Sequence, residues 1–255
     1  MLRKGQGWRI ALFLTMCFRL DAALAAEEEI QVYLDDLSGV GQFGLDVHNN
    51  YVVSGSTAPE YPGARPPAKV YRLTPEFYYG LTPHLELGAY VLGALDADHT
   101  THIDGEKLRL KYIAAHDETA GPFWGANVEV GRSELSVAPQ PWNAQLKGIF
   151  GYRLGKWLVA TNVNLDGALS NGDAVILSID GKLSWQLTEK QQIGLEVYSD
   201  MGPLSEPGQL GQRSQMLYGV VDAEISDFDL NAGVGHALTG AADRWVLKAI
   251  VGHRF

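Results

Sequence analysis

Apolar and polar side chains alternate along most of the chain beyond residue 40. In 41–53, Phe43 and Leu45 fall on one face of an extended chain, whereas Asp46 and His48 fall on the other. The same period of two recurs in twelve segments, most of them near the ~9–11 residues that a tilted membrane-spanning strand needs. These segments are 41–53, 71–79, 85–91, 107–112, 124–130, 143–153, 157–168, 174–187, 192–200, 214–225, 227–237 and 244–255.

The connections between these segments alternate in length. The shorter connections lie at 80–84, 115–122, 154–156, 188–191 and around Ser226. The others lie at 54–69, 95–105, 132–141, 169–173, 201–213 and 238–243, and several of these are long and rich in Pro, Gly and Asp. This alternation is typical of outer-membrane barrels. The sequence therefore predicts an all-β fold, a transmembrane antiparallel β-barrel of about 12 strands, with short periplasmic turns and longer extracellular loops.

Aromatic side chains on the face predicted to point outward sort by strand end. At the short-turn ends lie Phe43, Tyr79, Tyr112, Trp124, Tyr152, Trp157, Trp185, Phe228 and Phe255. At the long-loop ends lie Tyr51, Tyr71, Trp142 and Trp245. Amphipathic rings collect at the headgroup level of membranes, so these two sets predict two girdles in contact with outer-membrane lipids.

The last predicted strand ends on an aromatic residue, Phe255, and Trp245, Leu247, Ala249 and Val251 share its face. A terminal Phe on an amphipathic strand resembles the C-terminal signal of bacterial outer-membrane barrels. We therefore expect the barrel assembly machinery to be a partner through this strand.

Composition narrows the class of partner. The 255 residues include 20 Lys and Arg against 30 Asp and Glu, which gives a formal net charge of −10. This balance is too acidic for a nucleic-acid binder. No segment beyond the N-terminus approaches the roughly 18 apolar residues of a transmembrane helix, so a membrane location depends on strands.

The N-terminus predicts export. Arg3 and Lys4 precede an apolar core at 10–18, and small residues at 23–25 suit a cleavage site before Ala26 or Glu27. We expect a signal peptide at 1–26, a periplasmic N-terminal segment at 27–40 and the barrel at 41–255. Alternation within 27–38 is compatible with a short strand or with a peptide that plugs the lumen, and both interpretations stay open.

The polar face of the predicted strands would line the lumen. The candidate lumen-lining residues are Arg72, Glu76, Tyr90, Lys107, Arg109, Lys111, Lys147, Asp166, Asp180, Glu196, Tyr218 and Asp222. The lysines and Arg109 lie on nearby strands, and most of the acidic residues lie on the other half of the wall. Such a separation would create a transverse field that orients polar solutes. The alternative is that these charges pair with one another and with Glu86, Lys182 and Lys248, which would close the lumen.

The predicted inner face is more apolar than that of a general water-filled porin, because it also carries Tyr78, Tyr90, Tyr198 and Tyr218. We predict a passive channel or transporter for small, amphipathic or aromatic solutes. The alternative is a closed structural or binding barrel.

Asp96, Asp98, His99, His102 and Asp104 are the candidate metal ligands, for Ca²⁺ or a transition ion, in a predicted exposed loop. A solvated polar loop is the competing interpretation, because the spacing matches neither a zinc site nor an EF-hand. We expect no cofactor.

We also expect no enzymatic activity, although a lipid or ester hydrolase is a further alternative. Such an enzyme needs a serine beside a histidine. His48 is predicted to face inward without a neighbouring serine, and His236 outward near the outer rim, where Ser214 has the opposite parity.

Seven short stretches carry a resemblance to a known family. They are 30–33 (IQVY), 41–45 (GQFGL), 73–77 (LTPEF), 80–82 (GLT), 107–111 (KLRLK), 123–125 (FWG) and 243–246 (DRWV). On these, the chain resembles an uncharacterised proteobacterial outer-membrane β-barrel family, similar to transporters named for the meta-pathway of phenol degradation. The resemblance implies a Gram-negative outer-membrane location and aromatic or hydrophobic solutes. It transfers no catalytic or ligand-binding residue.

Overall fold

The structure is a computed structural model that describes residues 29–170 and 174–255, and these residues form a closed β-barrel. Twelve antiparallel strands pair in chain order within the described residues, and β1 pairs with β12 to close the barrel. The strands are β1 (Phe43–Ser54), β2 (Tyr71–Thr82), β3 (Leu85–Leu95), β4 (Thr101–Ile113), β5 (Gly121–Ser133), β6 (Trp142–Leu154), β7 (Trp157–Ala168), β8 (Ile176–Thr188), β9 (Gln191–Pro203), β10 (Gln215–Ile225), β11 (Phe228–Ala237) and β12 (Trp245–Arg254). The predicted barrel is confirmed.

Some strands are longer than the alternation predicted. β4 begins at Thr101 rather than at residue 107, so the predicted loop 95–105 is mostly strand. The β3–β4 register shifts between Leu92 and Gly93, close to Gly105, whose φ of 152° interrupts the regular pleat. A Cβ at Gly105 would lie 2.2 Å from the carbonyl oxygen of Arg132, so only glycine fits there. Because this irregularity shifts the alternation of inward and outward positions, a strict period of two does not extend into the upper half of β4.

The outer face of the barrel is apolar and the inner face is polar. Leu108, Leu146 and Leu195 are 62%, 49% and 51% exposed, a costly arrangement in water and a favourable one in lipid. Aromatic rings at the short-turn end contact one another across paired strands, as those of Trp157 and Trp185 do with their centroids 4.5 Å apart. In the described part of the chain, no helix is long and apolar enough to cross a membrane.

The two ends of the barrel sequence meet at the β1–β12 seam. The backbone amide of Phe255 donates a hydrogen bond of 2.8 Å to the carbonyl of Phe43, and the two rings stack with centroids 5.8 Å apart. The chain therefore enters and leaves the barrel at the short-turn, periplasmic end.

The N-terminal segment turns into the barrel instead of adding a strand. Residues 29–39 form no strand, which excludes the short-strand interpretation for these residues, and Val40 makes only an isolated parallel bridge with Gly80. From that bridge the segment runs upward along the lumen, where Ile30, Val32 and Tyr33 are 5%, 3% and 1% exposed. The predicted signal peptide at 1–26 lies outside the described residues.

Candidate functional site

The structure places the twelve residues predicted to line the lumen on the inner face of the strands, opposite in parity to the neighbouring apolar side chains that point outward. Nine are buried, namely Arg72, Glu76, Tyr90, Arg109, Lys111, Lys147, Asp180, Glu196 and Tyr218. Lys107, Asp166 and Asp222 are partly buried. Long polar side chains therefore fill much of the interior, and their contacts with one another decide what space is left.

One charge cluster centres on Arg109 of β4. Its guanidinium lies 2.7 Å from a Glu76 oxygen and 2.6 Å from a Glu86 oxygen. Glu76 also contacts the imidazole of His48 at 3.1 Å. Gly88, directly opposite Arg109 in the register, leaves the space that the guanidinium crosses, since a Cβ there would lie 2.7 Å from Nε. The cluster fixes Arg109 across β2 and β3.

A second cluster occupies the opposite wall. Glu196 of β9 binds both Lys248 of β12 and Lys182 of β8, the latter at 3.1 Å. Lys182 also lies 2.8 Å from Asp222 of β10. All three cluster residues on β8, β9 and β12 are buried. The charges of this wall are therefore paired along the wall, as in the first cluster, rather than separated into one basic and one acidic half.

Tyr33 of the N-terminal segment lies in the middle of the lumen. Its backbone amide donates to Asn162 Oδ1 at 2.7 Å, and Asn162 Nδ2 donates to its carbonyl at 3.0 Å. Its hydroxyl is 2.8 Å from that of Tyr90 and 3.2 Å from a Glu29 oxygen. Tyr33 thus contacts β3 and β7 at once.

Three cations surround the Tyr33 ring. Lys147 Nζ lies 4.1 Å from the ring centroid, Lys111 Nζ 5.4 Å and the Arg109 guanidinium carbon 5.5 Å. These distances are in the range of cation–π attraction. The centre of the lumen is therefore a site in which cationic side chains enclose an aromatic ring.

The lower part of the segment is held by carboxylates. Asp35 binds Arg153 of β6 and lies 2.7 Å from His116 in the β4–β5 turn. Lys111 donates to the Asp36 carbonyl at 2.7 Å, and its ammonium lowers the pKa of the Asp36 carboxyl. The amide of Ser38 donates to a Glu86 oxygen at 2.7 Å. The segment is fastened to the periplasmic end of the barrel by charge-assisted contacts.

A cavity of about 380 Å³ remains between the segment and the wall. Asp35 and Asp36 line one side, and Glu196, Asp222 and Ile250 line the other. Residues of β2–β4 and β6, among them Glu86, Arg109 and Arg153, also border this cavity, so it lies around the segment at the periplasmic end of the lumen.

The candidate metal ligands do not converge. His102 contacts Asp96 at 2.8 Å, and hydrogen bonds from His102 and the Thr100 amide lower the pKa of Asp96. Asp104 is engaged by Arg65, whose Nη2 lies 2.8 Å from Oδ1. Asp98 and His99 remain in the turn before β4. Within the described residues, no group of three or more His, Cys, Asp or Glu side chains is arranged to hold a metal ion.

Neither histidine of the hydrolase alternative lies beside a serine nucleophile in the described structure. The imidazole of His48 binds Glu76 and is buried. His236 faces outward, and its ring packs edge-on against Trp245 with centroids 4.4 Å apart.

Sequence reasoning missed the residues that hold the segment, chiefly Tyr33, Asn162, Asp35 and Arg153. Their contacts join positions as far as 129 residues apart, and no periodicity reports them. The adjacent carboxylates Asp35 and Asp36, in a segment that precedes a barrel with basic inward positions, were the available signal.

Known proteins resemble this chain in three-dimensional structure but not detectably in sequence. No protein-family model matches the chain, and no curated protein matches it. Among solved structures, the COG4313 outer membrane channel from Pseudomonas putida F1 is similar, with a TM-score of 0.61 and 14% identity over 89% of this chain and 100% of the other. The KdgM porin has a TM-score of 0.56 and 9% identity over 83% and 98% of the two chains. The NanC porin has a TM-score of 0.52 and 11% identity over 82% and 97%.

These structural neighbours are outer-membrane channels and porins. The barrel belongs in the outer membrane. The closed ring of strands and the exposed apolar belt agree with that location. No match to a phenol-pathway family accompanies the structural similarity.

Proposed function

We propose that the protein is an outer-membrane channel for small amphipathic or aromatic solutes. The observation that carries the proposal is the occupant of the mid-lumen, the phenol ring of Tyr33. A ring with a polar hydroxyl is accommodated there by the protein's own wall residues. A solute of similar chemistry would find the same contacts wherever Tyr33 vacates them.

The wall chemistry supports this solute class. Lys147 and Lys111 offer positive charge to a ring face or to an anionic group, and Asn162 offers one donor and one acceptor. Tyr90 adds a hydroxyl at the far end of the ring. An apolar body with one or two polar groups satisfies such a site better than a fully hydrated sugar does.

The available space and the structural neighbours also support passage of a solute. The cavity of about 380 Å³ is within the size range of small-molecule sites. The neighbours with this barrel are described as channels or porins, and one KdgM structure is described as a complex with disordered oligogalacturonate. The proposal requires no catalytic step.

Liposome flux tests the proposal. Purified full-length protein in liposomes is compared with empty liposomes for uptake of 4-hydroxybenzoate and of 4-hydroxycyclohexanecarboxylate, which have the same charge and differ in ring aromaticity. We expect uptake of both above the blank, and faster uptake of the aromatic compound. Equal rates with and without protein would exclude the channel, and a preference for the saturated ring would exclude the assigned solute class.

A closed binding or structural barrel is the second candidate, and the paired charges favour it. Arg109, Glu196, Lys182 and Lys248 are all buried in ion pairs. In that case the double variant Lys107→Gln and Lys111→Gln should lose heat stability and gain no current. A gain of current in this variant would favour the channel.

A further inference from the structure

The N-terminal segment is connected to the barrel in a way that lets it leave the lumen. It joins the barrel through Ser38, Gly39, Val40 and Gly41, and Gly41 has a φ of 80° in the left-handed region that glycine adopts freely. Above this glycine-flanked joint, residues 29–39 form no strand. The segment can therefore move without breaking a strand pair of the barrel.

Besides the burial of Ile30 and Val32 in an apolar cluster, polar and specific contacts hold the segment in place. Asp35 contacts Arg153 and His116, Asp36 contacts Lys111, and Tyr33 contacts Asn162. All these partners are wall or turn residues, and each bond can be exchanged for one to water or to a solute. No covalent link other than the main chain joins the segment to the barrel, since the sequence has one cysteine, at position 17.

The segment also neutralises one wall. Its carboxylates Glu29, Asp35 and Asp36 lie against Lys107, Arg153 and Lys111 respectively. These three carboxylates are therefore directed at basic side chains of β4 and β6. If the segment leaves, its negative charge leaves with it, and the basic side chains of β4 and β6 stay.

Lys147 of β6 shows what the basic wall could bind once the segment has left. It is 6% exposed, and its ammonium makes no ion pair within residues 29–170 and 174–255. Its ammonium lies 4.1 Å from the centroid of the Tyr33 ring, and the carboxylates of Asp166 and Asp180 on the neighbouring strands interact with it electrostatically. A buried ammonium that forms no direct ion pair is a good partner for an anion once the ring has left.

From these contacts we infer that residues 29–38 form a displaceable plug, and that withdrawal of the plug exposes an anion-binding wall of Lys111, Lys147 and Arg153. The inference rests on the channel function proposed above. An aromatic carboxylate is the ligand class that fits, because its ring replaces that of Tyr33 and its charge replaces the carboxylates of the segment. The resting barrel is narrowed by its own N-terminal segment, and the open barrel prefers anions.

Single-channel recording with four proteins tests this inference. They are the wild type, a variant that lacks residues 29–38, the full-length double variant Asp35→Asn and Asp36→Asn, and the full-length control Glu118→Gln with Asp227→Asn. The control removes two exposed carboxylates of periplasmic turns that do not hold the segment. Folding of each protein is checked by heat-modifiable mobility on a gel.

We expect the deletion to give several-fold larger and steadier currents than the wild type, with a reversal potential in a KCl gradient that indicates anion preference. The double variant should spend several-fold more time open, and the control should match the wild type. If the deletion does not fold, the double variant alone decides. Wild-type currents in both test variants would overturn the plug while leaving the channel intact. Cation preference in the open state would overturn the anion-binding wall, and silence of all the folded proteins would overturn the channel function itself.

Discussion

The side-chain amide of Asn162 binds the backbone of Tyr33 in both directions, accepting from its N–H at 2.7 Å and donating to its carbonyl at 3.0 Å. Asn162 is 0% exposed, so neither of these bonds is readily replaced by water. This pair is one of several places where barrel side chains bind the main chain of the N-terminal segment, together with Lys111 at the Asp36 carbonyl and Glu86 at the Ser38 amide.

Asn162→Leu should release the segment. Loss of two hydrogen bonds at about 1 kcal/mol each corresponds to roughly a 30-fold shift of the equilibrium toward the withdrawn segment. The measurement is the open probability of single channels, with heat-modifiable mobility as the folding check. Asn164→Leu is the matched control, because Asn164 lies on the same strand and inner face and donates to Ser178 and Asp180 of the wall rather than to the segment. Equal open probabilities in the two variants would contradict the role of Asn162.

Glu196→Gln should destabilise the barrel strongly. Glu196 is the shared partner of Lys182 and Lys248, and all three are buried. Removing the carboxylate leaves two buried ammonium groups with less compensation, which typically costs about 3–5 kcal/mol. The temperature at which heat-modifiable mobility is lost should fall clearly.

Glu224→Gln is the control for that loss. Glu224 pairs with Lys190 at the surface, where both side chains are exposed, and exposed pairs contribute about 0–1 kcal/mol. An equal fall of the unfolding temperature in the two variants would show that the buried ion pairs of Glu196 stabilise the barrel no more than an exposed pair does.

Phe255→Ala should reduce the amount of assembled barrel. The Phe255 ring stacks on Phe43 at the closing seam, and truncation removes that contact as well as the terminal aromatic residue that we expect the assembly machinery to bind. Folded protein in outer-membrane fractions is quantified by heat-modifiable mobility. Phe228→Ala removes another girdle aromatic, exposed at the same end of the barrel, and should assemble better than Phe255→Ala.

Acid should loosen the segment. The Lys111 ammonium lowers the pKa of the Asp36 carboxyl, so the docked carboxylate binds fewer protons than the detached one. Its contribution to docking is therefore complete at neutral pH and is lost as the pH falls through the lowered pKa, below the usual ~3.9 of aspartate. Burial raises the pKa of Glu29, also in the segment, to about 7, so the segment has a separate response near neutral pH. The difference in open probability between the wild type and Asp36→Asn isolates the contribution of Asp36, and it should be steady from pH 7 to 5 and shrink toward about pH 3. A difference that changes near neutral pH would contradict this origin.

The strands and their faces follow from period two, except for the upper half of β4 beside the irregularity at Gly105. A slip of one residue would have exchanged every inward and outward side chain, and the positions of Glu76, Lys147 and Glu196 on the inner face agree with the predicted parity. The girdle aromatics follow for the same reason.

The alternation of inward and outward positions does not predict which inward side chains pair with one another. Arg109 stands opposite Gly88 in the register, and its guanidinium reaches Glu86 and Glu76 instead, which depends on side-chain length and on the space above a glycine. Docking of Tyr33 on Asn162 joins distant parts of the chain through two hydrogen bonds of the side-chain amide, and alternation carries no information about such a contact.

Conduction of solutes through this barrel underlies the proposed function and the displaceable plug. Its most direct test is the single-channel current of the wild-type protein in a planar bilayer at two salt concentrations. We expect discrete openings whose conductance rises with salt, because the segment is held only by non-covalent contacts that open transiently. Absence of current above that of the lipid alone, from protein that is folded by its heat-modifiable mobility, would contradict it.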